Sequence, residues 1–591
     1  MAGPTLAWPP TLEQMEARKK AFVDDIDPAA VCRLASRHNA GRPCRLFQDM
    51  NSGCFNACFF VEFSGDNNRR WNVRVAIGPT LHDAWTKVQS EVATMQYIAR
   101  KTTIPVARVH GYGRGENLSR GGRDGGGHDR DGNSNGAGAG TSSGAVNGES
   151  NHKDDATQCA YMILDYIAGQ SINVKTFAED TRERKTHLYA QLIDILAQLR
   201  QLEFAVSGSL MPDPDGGPEP VVGDLVCIEH NELLKQTRGS EINTTSAAAT
   251  ATATAVPQPT TFRSTVDYAF YQYRLMAAAH DLPVNEAGLN TVRMEVFALY
   301  DIKARLLDAI DVRRNHRPFV LAHTDLRWYN IVVNDDLDVQ GVIDWEWTGT
   351  IPQQFFMPPT WLAEAFPSYV AGRFYRAEYQ EFYQVLVSMA DAADDAAACV
   401  AAGAGSTGGA AVATTITAAA ATTNMYRQLA DEWGPDLPEG LDLPMAVLLR
   451  HHHQMLETYY FSIFPKFFTP LPLDYLASYF AHEGEDGPLS RQVAQKMQQQ
   501  DRYTRYLKDK GLFVSHELPE KLLAHLKRGD AVCANTLKSL QKNLRRQPAS
   551  KVPAEDPLLA HLLETQLRSH IAARNRDDYV ASPENNNGES K

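Results

Sequence analysis

The stretch from His323 to Gly349, HTDLRWYNIVVNDDLDVQGVIDWEWTG, limits what this chain can fold into more than any other. Two β-rich runs, Ile331-Val332-Val333 and Val339-Gln340-Gly341-Val342-Ile343, flank the polar run Asn334-Asp335-Asp336-Leu337-Asp338. Runs of β-branched residues on either side of a polar turn predict an antiparallel hairpin. A hairpin brings its outer ends together. Asn330 and Asp344 should therefore emerge side by side, with Asp325 just before them. Three oxygen-bearing side chains at one sheet edge suit a divalent cation, which hard oxygen ligands hold, and a proton acceptor. Asp and Asn are ordinary turn residues, so Asp-x4-Asn alone reads equally as a hairpin with polar ends. The ordered set His323-x-Asp325-x4-Asn330, hairpin, Ile343-Asp344-Trp345-Glu346 is far more restrictive.

At 591 residues the chain is long enough for two or more lobes. Its formal net charge of −13 argues against nonspecific binding to nucleic acid or to an anionic membrane, since both need a basic surface. Eight cysteines, at 32, 44, 54, 58, 159, 227, 399 and 533, are scattered without Cys-x2-Cys pairs. Cys54-x3-Cys58 has no second close pair, so a zinc site is not expected. Buried reduced thiols in a cytosolic protein are the expectation. The first residues, MAGPTLAWPPTLEQMEARKK, show no basic region followed by an apolar core, so no secretory signal is expected. The longest uncharged run, 396–426, is built of small and hydroxylated residues that gain little from hydrocarbon, so it is not read as a membrane span. A soluble, cytoplasmic protein without nucleic-acid or membrane partners follows as the expectation.

Low-complexity segments divide the patterned ones. Residues 113–157, rich in Gly, Asn, Asp and Ser, should form a disordered loop. Residues 239–261 and 396–423 are Ala/Thr/Gly tracts without an apolar face, so loop or marginal helix is expected. The tail over 546–591 should be largely disordered, with a helix within Pro557 to Arg574. Between these segments, Cys54 to Phe63 and Trp71 to Ile77 read as strands joined by a polar turn. Residues 82–100 read as a helix with Trp85, Val88, Val92, Met95 and Ile98 on one face. Residues 160–167 read as a buried strand and 182–204 as a helix. After Asp344 strand signals fade, and 361–393, 424–433, 443–464 and 489–509 look helical. The layout predicts an α+β, bilobal, protein-kinase-like fold: a β-rich N-lobe over 1–165 with one αC-like helix, and a mostly helical C-lobe over 166–545 holding a catalytic-loop β-hairpin and the substrate cleft.

Upstream, Asn51 to Asn56 sits where a flexible loop would join two strands. Ser52, Gly53 and Asn56 are the candidates there, because a glycine lets backbone N–H groups approach a phosphate. These residues read equally as a plain turn. Arg74 lies within the strand WNVRVAI, and Glu91 falls on or beside the apolar face of the following helix. In protein kinases a strand cation and a helix Glu form an ion pair, and the cation also reaches the phosphates. The alternative is a Lys87–Glu91 surface pair on the helix. Backbone groups at Asp165, Tyr166 and Ile167 would hydrogen-bond adenine, or the segment is an ordinary core strand.

Together, SGCFNACFFVEF, WNVRVAIGP, YMILDYIAGQSI, LAHTDLRWYNIVV and GVIDWEWTGTIP resemble the aminoglycoside phosphotransferase-like family, particularly its fungal branch. The family pattern His-Gly-Asp-x4-Asn stands here as His323-Thr324-Asp325-x4-Asn330, and Ile-Asp-[Trp/Phe]-Glu as Ile343-Asp344-Trp345-Glu346. The resemblance implies transfer of the γ-phosphoryl group of ATP to a hydroxyl of a small molecule or metabolite. It implies Asp325 as base and Asn330 and Asp344 as Mg²⁺ ligands. His323 is read as orienting the catalytic loop. Thr324 replaces a glycine and Arg74 an expected lysine, and guanidinium is bulkier and planar. Trp328 and Tyr329 could border the substrate cleft, and His451-His452-His453 reads as an exposed helix turn. The runner-up function is a nucleotide-binding interaction module without turnover. A protein kinase is third, since no activation loop ending in Ala-Pro-Glu follows Asp344.

Overall fold

A computed structural model describes residues 8–65, 69–120, 158–237, 257–285, 288–362, 373–403, 425–436 and 440–513. The expected tail over 546–591, and the greater part of the expected inserts 113–157, 239–261 and 396–423, lie outside the described residues. The chain divides into two compact units, one of Leu12–Val88 and Arg108–Tyr166, the other of Met1–Thr11, Gln89–Ala107 and Ile167–Lys591.

The smaller unit opens with helices α1 (Leu12–Asp25) and α2 (Pro28–His38), neither of which is expected from sequence pattern. α1 buries no residue along its length, which is why it shows no apolar stripe. α2 is started by Asp27, whose carboxylate accepts from the Ala29 and Ala30 N–H groups at 3.0 and 3.1 Å, with Pro28 in the first turn. It buries Ala30, Val31, Leu34 and Ala35. Strands β1 (Cys44–Leu46), β2 (Asn51–Ser52), β3 (Asn56–Phe63) and β4 (Arg70–Ala76) follow. After helix α3 (Ala84–Lys101) come β5 (Val109–Asn117) and β6 (Gln158–Asp165). All pairings are antiparallel, in the order β1-β3-β4-β6-β5, with β2 added to β3. Alternate residues of β3 and β4, including Phe59, Val61, Phe63, Trp71, Val73 and Val75, meet Val31 and Leu34 of α2 in one core. Val88, Val92, Met95 and Ile98 of α3 are buried as the helical period requires. β5 corrects the expected loop at 113–157. Residues 113–117 pair with β6 through backbone hydrogen bonds, which need no apolar side chains and so leave no period-2 signal.

The larger unit is mostly helical. Its strands are β7 (Gln170–Ser171), β8 (Glu203–Phe204), β9 (Ser209–Met211), β10 (Val221–Gly223), β11 (Phe319–Ala322), β12 (Ile331–Val333), β13 (Val339–Val342) and β14 (Gly349–Pro352). They form the antiparallel sets β10-β9, β14-β11-β8 and β13-β12-β7. β14 corrects the expectation that strands end at Asp344. Its four residues are too few to show a period, and it forms by pairing along fully buried β11. The principal helices are α4 (Val174–Ala178), α5 (Arg182–Gln201), α6 (Ile228–Thr237), α7 (Thr265–Asp281), α8 (Leu289–Arg305), α9 (Arg373–Gly403), α10 (425–433), α11 (Asp442–Arg450), α12 (Pro472–Glu483) and α13 (Pro488–Asp509). The expected helix over 443–464 ends at Arg450 and continues as short irregular turns.

Arg200, with no exposed side-chain area, ties α5 to α10: its Nε and Nη2 donate to Glu432 at 3.2 and 2.9 Å, and Nη1 to Glu203 at 3.0 Å. The fold class is α+β, with a β-rich unit and a mostly helical unit that carries the His323–Gly349 hairpin. Among the described residues no helix is long and apolar enough to cross a membrane.

Candidate active site

The catalytic loop leaves the end of β11, whose four residues are all buried between β14 and β8. His323, Thr324 and Asp325 follow directly. A turn at Trp328–Asn330 leads into β12, and β13 returns with Ile331 opposite Val342. The Ile343 N–H donates to the Asn330 carbonyl at 3.0 Å, so the hairpin closes at its outer ends and Asp344 leaves beside Asn330. Asp344 has φ +65°, a left-handed conformation that Asp tolerates better than most residues, and Trp347 has φ +63°.

Four bonds hold this arrangement. Asn330 Nδ2 donates to the Asp325 carbonyl at 2.8 Å and lies 3.5 Å from its carboxylate. His323 Nε2 donates to the Ile343 carbonyl at 3.0 Å. The Thr324 hydroxyl donates to the Trp347 carbonyl at 2.9 Å. Trp345 Nε1 donates to the Val342 carbonyl at 2.9 Å. Burial pushes the His323 imidazole below its ordinary range, and the bond it donates to the Ile343 carbonyl orients the loop. Burial raises the Asp325 carboxyl; Arg327 lowers it, Asp344 raises it further, and His323 and Asn330 oppose the rise.

Two arginines that sequence reasoning missed flank the candidate base. Arg327 Nη2 pairs with Asp325 Oδ2 at 3.1 Å. Arg450, at the end of α11, donates to the Thr324 carbonyl at 3.0 Å. Burial lowers the Arg450 guanidinium, while Tyr268, Glu229 and Asp325 favour its charge. Burial lifts the Glu229 carboxyl to about 7. Arg327 was legible as the charged residue two positions after Asp325. Arg450 and Glu229 carry no local signal, since only packing brings them to the loop.

Trp328 is buried against Phe177 and Trp361, with ring centroids 5.0 and 4.7 Å away, so it is a packing residue. Tyr329 is 66% exposed and its carbonyl accepts from Ser171 Oγ. The histidine run is not an exposed helix turn: His452 is buried, donates to the Leu449 carbonyl at 3.0 Å, and is held down at about 3 mainly by burial.

In the smaller unit, the loop after β2 is closed by the Gly53 N–H donating to the Asn56 carbonyl at 2.9 Å. A Cβ on Gly53 would meet nothing closer than 3.8 Å, so the protein itself does not require glycine there. Ser52 pairs with Ala57 across the turn. The buried Asn56 side chain accepts from the buried Lys87 ammonium at 3.1 Å. Lys87 is therefore not the surface residue of the alternative reading; it lies on the apolar side of α3, which its spacing from Val88 and Met95 half-disclosed. Arg74 is buried on β4 between Cys58 and Met162, and Glu91 is buried on α3. The Asp165 and Tyr166 N–H groups already donate to the Arg108 and Arg70 carbonyls at 3.0 and 3.1 Å. Adenine recognition through those two donors is thus not available, because the sheet uses them. The Asp165 carboxylate takes His110 Nε2 at 2.5 Å.

An Asp held beside an Asn and a second Asp at the mouth of a hairpin, on this α+β frame, defines the class as phosphotransferase-like. The model of the phosphotransferase enzyme family, APH, matches residues 59–353, and the chain belongs to that family. No curated protein sequence matches it. Among solved structures it is similar to a Ralstonia eutropha protein described as an aminoglycoside phosphotransferase, at 11% identity and TM-score 0.35, covering 80% of this chain and 99% of that one. It is also similar to the Plasmodium vivax ethanolamine kinase, at 9% identity and TM-score 0.35, covering 81% and 95%. A third is an amicoumacin kinase in complex with AMP-PNP and Ca²⁺, at 12% identity and TM-score 0.29, covering 82% and 94%.

Proposed function

We propose that this chain moves the γ-phosphoryl group of ATP to a hydroxyl of a small molecule. The observation that carries the reading is the closure of the hairpin, which sets Asn330 and Asp344 together with Asp325 bound to Asn330. Asp325 would accept the proton of the acceptor hydroxyl and orient its oxygen. Arg327 keeps a positive charge against Asp325 and favours the ionised form a base needs. His323 and Thr324 would position the loop through the Ile343 and Trp347 carbonyls.

The residues fit a divalent cation. Asn330 uses its amide nitrogen on the Asp325 carbonyl, a bond that does not engage its oxygen, and Asp344 adds a carboxylate. Such hard oxygen donors suit Mg²⁺, and Asn330 and Asp344 would hold it. When bound, Mg²⁺ supplies charge neutralisation on the phosphates. Ser52, Gly53 and Arg74 remain the proposed nucleotide contacts of the smaller unit, with Lys87 added as a buried cation. Arg74 in place of lysine is the feature that supports the fungal branch. We place the protein in the cytoplasm, acting without nucleic-acid or membrane partners.

The test is ATP consumption across a metabolite library, with Asp325→Asn as the blank, beside a thermal-shift titration with Mg·ATP. A ligand at a hundred times its dissociation constant stabilises by about 2.7 kcal/mol. An unmoved melting temperature would refute the nucleotide site. A shifted one without consumption for any acceptor would favour the binding module.

A further inference from the structure

Cys32 lies on α2 and Cys44 opens β1. Both are half-buried and pack against the core shared by α2 and the sheet. Cys44 Sγ lies 3.3 Å from the Cys32 carbonyl and within hydrogen-bonding reach of the Cys32 sulfur, so its single hydrogen serves the carbonyl when Cys32 is protonated and the sulfur when Cys32 is a thiolate. The Leu46 N–H is a second donor toward the Cys32 sulfur, and Asp27 and Arg33 are its charged neighbours with opposite effects. The donors from β1 outweigh burial and bring the Cys32 thiol down to about 7, the Cys44 bond contributing most. Cys44, as the donor in that bond, is pushed far up. A stabilised thiolate beside a protonated thiol is what exchange with a disulfide needs: an attacking sulfur and a resolving one.

We propose that Cys32 and Cys44 form a redox modification site that takes a low-molecular-weight disulfide of the glutathione type. The Cys32 thiolate attacks one sulfur of the disulfide. A Cys32–sulfur bond forms, the disulfide's own S–S bond breaks, and one small thiolate leaves. Cys32 then no longer carries the charge that held the Cys44 proton, and the departed thiolate takes that proton. The Cys44 thiolate attacks the Cys32 sulfur, the Cys32–Cys44 bond forms, and the second small thiolate leaves and takes from solvent the proton that Cys32 released there on ionising. One disulfide is reduced to two thiols while two protein thiols are oxidised to one disulfide. A reducing cytosol reverses the step, so the bond is transient there.

The test uses the full chain, reduced and then incubated with glutathione disulfide near pH 7, with peptide mapping by mass spectrometry without reductant. The exposed thiols Cys54 and Cys399 serve as internal references. The wild type should yield a peptide cross-linked between Cys32 and Cys44. Cys44→Ser should instead trap glutathione on Cys32, and Cys32→Ser should leave Cys44 unmodified. A wild type that accumulates glutathione on Cys32 without the cross-link would overturn the proposal. So would Cys32 reacting no faster than Cys399. A pulse of iodoacetamide on the wild type checks the same order without any variant: Cys32 should alkylate ahead of Cys399, and the reverse order refutes the thiolate.

Discussion

Replacing Asp325 with asparagine should abolish turnover, leave nucleotide binding in place and spare the fold. Asparagine keeps the size but removes the charge and the basicity. Loss of a general base costs roughly 10² to 10⁴ in rate, or about 2.7 to 5.4 kcal/mol of barrier. The metal ligands should not move, because Asn330 is anchored on the Asp325 backbone carbonyl at 2.8 Å, which the substitution leaves intact. Arg327 loses its partner, but its side chain is 55% exposed and water replaces the carboxylate. The stability sign follows from the raised carboxyl. An acid raised on folding costs stability once it ionises, and the cost grows as pH rises from its ordinary value toward its folded one. Asparagine removes it, so the melting temperature at pH 7 should equal or exceed that of the wild type. Single-turnover phosphoryl transfer, or slow ATP hydrolysis where no acceptor is known, measures the first effect. Mg·ATP thermal shift measures the second. An Asp325→Asn protein that turns over like the wild type while Asp344→Asn is dead would refute the role of Asp325.

Three further outcomes are expected. Thr324→Val removes the hydroxyl from the Trp347 carbonyl and should raise the Mg²⁺ concentration needed for half-maximal ATP binding by thermal shift, whereas Thr324→Ser should behave as wild type; equal titrations for all three would sink the idea that this bond positions Asp344. Arg200→Met leaves Glu432 without its buried cation and should cost about 3–5 kcal/mol in denaturant melts, with a loss under about 1 kcal/mol contradicting the ion-pair reading of the α5–α10 contact. Burial works to raise the Glu295 carboxyl, but His280 and Lys496 override it and hold it at about 2. Its stabilising contribution is therefore full above the ordinary glutamate value and lost as pH falls toward about 2. The stability gap between wild type and Glu295→Gln should be flat above about pH 5 and close below about pH 4; a gap that widens on acidification would show the sign to be wrong.

The strands around the core, the apolar face of α3 and the catalytic hairpin were legible because period-2 and helical spacing encode which face a segment buries. Short elements were not. β14 carries too few residues for a period, and α1 buries no residue along its length. Among the residues expected to face a nucleotide, the partners were not legible: Asn56 is engaged by Lys87, and the Asp165 and Tyr166 N–H groups by the sheet. The cysteines expected to be buried divide instead, with Cys54 and Cys399 exposed.

By itself the sequence determined the α+β class and the meeting of Asn330 with Asp344, since a hairpin joins its ends through contacts a few residues apart. Only the tertiary structure decided which charges surround Asp325. Arg450 reaches Thr324 across 126 residues of chain, and a pairing at that distance depends on how buried faces pack, for which no local pattern exists.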